Sequence, residues 1–394
     1  MTLEIERLRR ETPGCREVIH FNNAGASLMP EPVVNAIISH LRREAEIGGY
    51  EAAAESFETI EGVYDSIASL IGCTRDEIAV VENATRAWDM AFYSIPFRSG
   101  DTILTSECEY ASNFIAYLQV CKRTGATVRV IPADEYGAIS VEALKDAMDE
   151  SVKLISLTHV PTNGGLVNPA AEVGRVARDA GVLFLLDACQ SMGQIPIDVR
   201  EIDCHMLSAT GRKYLRGPRG TGFLYVRKDI LPRLEPPFLD LHAATWSGPD
   251  RFAVRADARR FENWETNYAT KIGLGVAIEY ATALGLERIW ERIGRLADDL
   301  RSRLALLPGV TVRDLGVIRC GIVSFSVEGK KPEDIKKRLD QARINVSVSP
   351  MRYTLLDMER RGLSAGVVRA SVHYYNTEEE IGRFTYELER IICL

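Results

Sequence analysis

Long apolar runs are what this chain of 394 residues most plainly lacks. The densest, residues 182–186, is five residues long, against about 18 or more for a spanning helix, so a helical membrane protein is excluded. The first 17 residues hold Glu4, Glu6, Arg7, Arg9, Arg10, Glu11, Arg16 and Glu17, which leaves no apolar core for a secretory signal. None of the eight cysteines sits in a C-x-x-C pair, and a chain of this length does not need disulfide staples. A cytoplasmic protein with reduced thiols is the expectation, and no metal site is expected. Excess charge of one sign is missing too. Forty-eight Lys+Arg against 55 Asp+Glu leave −7, which argues against nucleic acid or an anionic membrane surface as partner.

What is present is globular: 46% hydrophobic and 26% charged residues, with 30 Gly and 16 Pro. At about 150 residues per domain the length suggests two or three domains. From residue 78 to 226, seven β-rich runs (78–82, 102–105, 127–131, 153–158, 182–187, 203–208, 222–226) alternate with helix-length stretches at 87–94, 111–124, 141–149 and 171–180. This alternation predicts an α/β fold with a mainly parallel, doubly wound sheet. Residues 233–258 read as irregular, and 276–307 as a helix interrupted near Gly285. Beyond Pro308 come strands at 311–312, 321–327, 344–348 and 367–371, with helices at 332–342 and 378–392. Thr377 and Glu380 form a capping box opening the last of these. The expected division is an N-terminal segment (1–25), a large α/β domain (26–275) and a small C-terminal α+β domain (276–394).

The chemistry concentrates in Asp187-Ala-Cys-Gln190 and in Ser208-Ala-Thr210-Gly-Arg212-Lys213-Tyr-Leu-Arg216-Gly-Pro-Arg219. One apolar strand ends at Asp187 and another ends just before the turn holding Lys213. Ligands of open α/β sheets bind outside the carboxyl ends of the strands, so both groups face one crevice. A lysine that reaches a carbonyl is a Schiff-base nucleophile, and an aspartate beside a pyridine nitrogen keeps it protonated. That division of labour points to pyridoxal phosphate. Arg212, Arg216, Arg219 and Thr210 add donors for phosphate oxygens. Each residue alone has a plainer reading: a helix cap, a solvated lysine, a salt-bridged rim or a nucleic-acid patch. Together and in this order they are specific.

Over about residues 21–386 the chain resembles the class V aminotransferase or cysteine-desulfurase-like branch of fold-type I pyridoxal-phosphate enzymes. The D-x-x-Q and S-x-H-K patterns stand here as Asp187/Gln190 and Thr210-Gly-Arg212-Lys213, with Thr for Ser and Arg for His. The resemblance implies a fold-type I transferase fold and the cofactor pyridoxal 5'-phosphate. It also implies a homodimer with active sites near the subunit interface, and an amino acid as small-molecule substrate. It assigns Lys213, Tyr110 and Asp187 to catalysis. Tyr110, in Glu109-Tyr110-Ala-Ser-Asn113, takes the place of the residue that stacks on the pyridine ring. Ala84, Thr85 and Arg86 match the helix-start turn that holds phosphate. Asn163 and Gln190 are placed near the cofactor's phenolate oxygen. Asn163, Asn23, Ala24 and Arg369 are placed at the substrate, with Arg369 as the grip on its α-carboxylate. Thr266 is a weak counterpart of a residue that touches the phosphate from the neighbouring subunit.

Such a site licenses several reactions. In cysteine desulfurases a small-domain loop ahead of the V-R-x-S strand carries the sulfur-accepting cysteine. Here that region, 344–362, has none. The wording of residues 344–349, 356–362 and 373–379 is similar to the isopenicillin-N-epimerase-like sub-branch, which includes C–S lyases. The first expectation is β-elimination at a C–S bond, giving a thiol-type product, pyruvate and ammonia. Transamination, epimerisation and oxygen-dependent decarboxylating deamination stay open, as does recognition by His242, Trp246, Arg255 and the 349–353 loop. A non-catalytic cofactor-binding protein is disfavoured because Lys213, Asp187 and Arg369 are all present. Cys189 reads as a small core filler.

Overall fold

The computed structural model of the chain describes residues 3–393. Seven strands form the large sheet: β1 Ile78–Val81, β2 Thr102–Ser106, β3 Thr127–Ile131, β4 Val152–Thr158, β5 Leu183–Asp187, β6 Met206–Thr210 and β7 Gly222–Val226. Their spatial order is β1-β7-β6-β5-β4-β2-β3. β7 runs antiparallel to both neighbours, and the remaining pairs are parallel. β5 is buried at every position because apolar side chains leave it on both faces. Phe184 and Leu186 enter one core, Leu183 and Leu185 the other. The sheet is the fold-type α/β architecture read from the alternation of runs.

The strand expected at 203–208 starts later. Asp203 instead ends the short helix Val199–Ile202 in a left-handed conformation (φ 57°), so the ladder begins at Met206. The segment read as irregular contains a β-hairpin, Ala244–Gly248 with Arg251–Val254, whose exposed rings Trp246 and Phe252 face each other across the strands. The helix expected from 276 with an interruption near Gly285 starts earlier, as the two helices Tyr268–Leu284 and Leu286–Ala305. They are joined at Gly285, whose φ of 85° suits glycine.

The C-terminal sheet is antiparallel, in the order Val310–Val312, Ile322–Val327, Val367–Ser371, Ser347–Ser349. The single strand expected at 344–348 is split. Ile344–Asn345 pairs in parallel with Ile19–His20, and Ser347–Ser349 joins the sheet. Leu8, Phe21 and Ala24 pack into the same core as Val368, Ala370 and Phe384. Thr377 Oγ1 accepts from the Glu380 N–H and Glu380 Oε2 from the Thr377 N–H, each at 3.2 Å, forming the capping box. Among the described residues no helix is long and apolar enough to cross a membrane.

Candidate active site

Three adjacent strand ends define the site. The register places Asp187 at the end of β5 between Thr158 of β4 and Ser208 of β6. The turn after β6 brings Lys213 back over this edge.

Asp187 is buried and accepts from Asn113 Nδ2 at 3.0 Å and from the Cys189 N–H at 2.9 Å. Burial pushes its pKa up, while those two donors and the charge of Lys213 pull it down. Asn113, in the first turn of the helix Ala111–Thr124, also donates at 2.9 Å to Oε1 of Glu109, which stands just before the helix N-cap Tyr110. Glu109 is buried and accepts further bonds from Thr105 Oγ1 at 2.9 Å, the Tyr110 N–H at 2.8 Å and Thr158 Oγ1. Its pKa too is raised, first by burial. Tyr110 is half-buried at the start of that helix, its backbone held by Glu109.

Lys213 is buried, and its Nζ lies 3.1 Å from Cys189 Sγ. Burial lowers the lysine pKa, and the positive charges of Arg212 and Arg369 act in the same direction. Cys189 is therefore not a core filler. Its thiol is half-buried and touches the amine. Arg212 donates from Nη1 to the Gly25 carbonyl. Thr210 Oγ1 donates to the Thr221 carbonyl at 3.2 Å. Arg216 departs from expectation. It is fully buried and points away from the strand ends, and Arg219 is exposed.

Arg369 is buried on the small-domain strand. Nη1 donates to the Thr162 carbonyl and Oγ1, both at 2.7 Å, and Nε to Ser347 Oγ at 3.0 Å. These acceptors are neutral, and among the described residues no carboxylate lies within ion-pair distance. Burial lowers its pKa to about 10. Asn23 Nδ2 donates to the Ser371 carbonyl at 2.7 Å, and the Ala24 N–H to Ser371 Oγ at 2.9 Å. Gln190 Nε2 reaches the Ala24 carbonyl at 3.2 Å. The N-terminal segment, the Asp187 turn and the Arg369 strand thus meet.

Other candidates lie apart from this cluster or are already engaged. Asn163 donates to Asp357 Oδ2 at 2.7 Å. At the helix Ala84–Tyr93, Asn83 caps the N-terminus by accepting from the Arg86 N–H at 2.9 Å, Thr85 is exposed, and the Arg86 guanidinium lies 4.8 Å from the Phe238 ring. A side chain at Gly222 would lie 2.7 Å from the Ala209 oxygen, so glycine lets this helix start approach the end of β6. Thr266 lines a cleft of about 650 Å³ with Tyr50, Glu82, Thr221, Trp264 and Lys271. His242 pairs with Glu262 at 2.8 Å and Arg255 with Asp257 at 2.8 Å. Both are occupied structurally.

The class-V aminotransferase family model matches residues 19–384. This chain belongs to that family. A protein of Methanothermobacter thermautotrophicus described as a probable cysteine desulfurase is 31% identical over 394 residues, covering 99% of this chain and 98% of that one. A cysteine desulfurase of Escherichia coli is 28% identical over 99% of both chains. The apo structure of a cysteine desulfurase from Thermococcus onnurineus NA1 superposes with a TM-score of 0.92 at 28% identity, covering 100% of this chain and 99% of that one. A cystine C–S lyase in complex with its product cysteine persulfide superposes with a TM-score of 0.86, covering 96% of this chain and 99% of that one. At 24% identity that likeness shows the fold alone.

This family member is an enzyme, and pyridoxal phosphate is its cofactor. The residues present fit that group. Around Asp187, three buried polar atoms have no partner: His159 Nδ1, Gln190 Oε1 and Ser208 Oγ. A buried lysine without a carboxylate stands beside them. Glu109, Asn113 and Thr162 were not singled out in the sequence as site residues. The i, i+4 spacing of Glu109 and Asn113 was the available signal.

Proposed function

We propose that this chain is a C–S β-lyase acting on a cysteine S-conjugate, without a persulfide-forming cysteine. The observation that carries this reading is the small-domain segment 349–362. It has no cysteine and is folded against the large domain as the turn Met351–Tyr353 and the helix Leu355–Arg360. Asp357 accepts from Asn163, and Arg360 pairs with Glu107 at 2.9 Å.

Bound pyridoxal phosphate supplies an electron sink for the substrate Cα. Lys213 takes the Cα proton at Nζ, a role suited to an amine whose pKa burial has lowered. With the cofactor bound, Asp187 would supply the negative charge facing its pyridine nitrogen, and Tyr110 would lie against its ring. Arg369 would grip the α-carboxylate, with Asn23 and Ala24 beside it, and Asn163 and Gln190 would serve the cofactor's ring oxygen. Ala84, Thr85, Arg86, Thr210 and Arg212 would hold the phosphate. The Cα–H and Cβ–S bonds break, and the sulfur keeps the electron pair and gains a proton. Water then releases the remainder as pyruvate and ammonia.

The reading includes a cytoplasmic homodimer. Eight free cysteines suit a reducing compartment. Exposed Tyr50 and Trp264 flank the cleft at Thr266, as an interface there would require. Incubation of the holoenzyme with a panel of S-alkylcysteines tests the chemistry. Equimolar pyruvate and thiol support it, and absence of both across the panel overturns it. One observation favours a second reading. Cys189 Sγ, 3.1 Å from Lys213, would be the sulfur acceptor of a cysteine desulfurase, the activity named for several relatives.

A further inference from the structure

Arg216 is 1% exposed and has a φ of 61°, in the left-handed region that residues with side chains avoid. Its backbone N–H donates to the Lys213 carbonyl at 2.9 Å, closing the turn that begins at the lysine. Glycine would meet that backbone requirement at no steric cost. The side chain, therefore, is what the position selects.

The guanidinium leaves the turn and bonds three other segments. Nε donates to the Leu28 carbonyl at 2.8 Å, Nη1 to the Tyr374 hydroxyl at 2.6 Å and Nη2 to Thr12 Oγ1 at 2.6 Å. The Tyr375 ring lies 4.5 Å from the guanidinium carbon and the Tyr374 ring 5.2 Å. Two of these segments lead straight into the proposed substrate residues. Leu28 follows Asn23 and Ala24, and Tyr375 donates its hydroxyl proton to Asn23 Oδ1. Tyr374 follows the strand that carries Arg369. His373 adds a second hold on the same loop, its Nε2 lying 3.1 Å from the Tyr214 carbonyl.

We propose that Arg216 is a positioning residue. By clamping the Lys213 turn to the N-terminal segment and to the continuation of the Arg369 strand, it fixes the lysine amine relative to the carboxylate grip. The inference rests on Lys213 being the cofactor lysine. Displacement of a reacting group by about 1 Å costs about 100-fold in rate, so such a clamp has consequences at the amine.

Four variants separate the possibilities. Lys213→Ala tests the underlying reading: a borohydride-reducible protein–cofactor bond that survives it overturns the lysine assignment itself. Arg216→Gly keeps the backbone conformation and removes the clamp. Tyr374→Phe removes one acceptor, and Arg216→Lys leaves a charge without the planar fork. The readouts are the rate at which apoprotein captures added pyridoxal phosphate covalently, the visible circular dichroism of the bound cofactor, and the melting temperature.

Arg216→Gly is expected to slow capture about tenfold or more and to change the visible signal, with partial rescue by added guanidinium. Tyr374→Phe should move both readouts in the same direction by less, and Arg216→Lys should fall between wild type and Arg216→Gly. Unchanged capture and an unchanged visible signal in Arg216→Gly, whatever its melting temperature, would leave Arg216 a stability element and overturn the proposal. Should Arg216→Gly fail to fold, Tyr374→Phe decides alone by the same two readouts.

Discussion

The two halves of the site are electrostatic opposites. On the large-sheet side, two buried carboxylates, Asp187 and Glu109, are surrounded by donors from Asn113, Thr105, Tyr110 and Cys189. On the small-domain side a buried guanidinium, Arg369, has, among the described residues, only neutral acceptors from Thr162 and Ser347. A buried charge without a counterion is costly, whereas a buried carboxylate with several donors is largely compensated. In the proposed reading the first half would hold a positive ring nitrogen, and the second would receive an anion. In that reading the contrast assigns the cofactor and the substrate to opposite sides of the cleft.

The largest effect should fall where both halves meet. Lys213→Ala is expected to lower turnover about 1,000-fold or more and to abolish the covalent cofactor bond, measured by borohydride trapping. Arg369→Leu should break the small-domain half alone. It is expected to cut kcat/KM by about 100-fold while leaving cofactor affinity unchanged, checked by steady-state kinetics and cofactor titration. Glu109→Gln should weaken the other half, lowering cofactor affinity about tenfold with little change in KM for the amino acid. Equal effects of Arg369→Leu and Glu109→Gln on both constants would erase the distinction between the halves.

A smaller effect concerns pH. His159 is buried, its backbone N–H donating to the Asp187 carbonyl at 2.9 Å, and burial lowers its pKa from 6.5 to about 4. The unfolded chain takes up this proton near 6.5 and the folded protein only near 4. Stability from this group is therefore full above 6.5 and is lost as pH falls from 6.5 towards 4. His159→Gln is expected to flatten part of that acid limb in thermal melts between those limits. His205, also lowered to about 4, and His20 and His373, lowered by burial as well, keep the rest.

Much of this organisation is legible in the sequence, for physical reasons. β3, β7, the helix Ala111–Thr124, the strand Val367–Ser371 and the helix Glu378–Ile392 stand at the expected boundaries. Their apolar periodicity and caps are local properties. The hairpin at 244–254 was hidden because Trp246 and Phe252 are 74% and 62% exposed, and a strand without a buried face leaves no period-two signal. Arg216 looked like a phosphate donor because counting donors in a loop says nothing of direction. A φ of 61° turns its side chain to Tyr374 instead. The importance of Glu109 depends on Thr105 and Thr158, which arrive from two other strands. Cys189 was misplaced for a related reason, since its neighbour Lys213 comes from the turn after the next strand, β6.

The fate of sulfur tests the central claim most directly. Holoenzyme turned over with S-alkylcysteine and, separately, with cysteine can be followed by thiol release and by intact and peptide mass spectrometry. The proposed lyase chemistry predicts equimolar thiol and pyruvate from S-alkylcysteine and no sulfur added to any cysteine of the protein. A persulfide on Cys189 after turnover with cysteine, with no thiol from the S-alkyl substrates, would contradict it and establish desulfurase chemistry in its place.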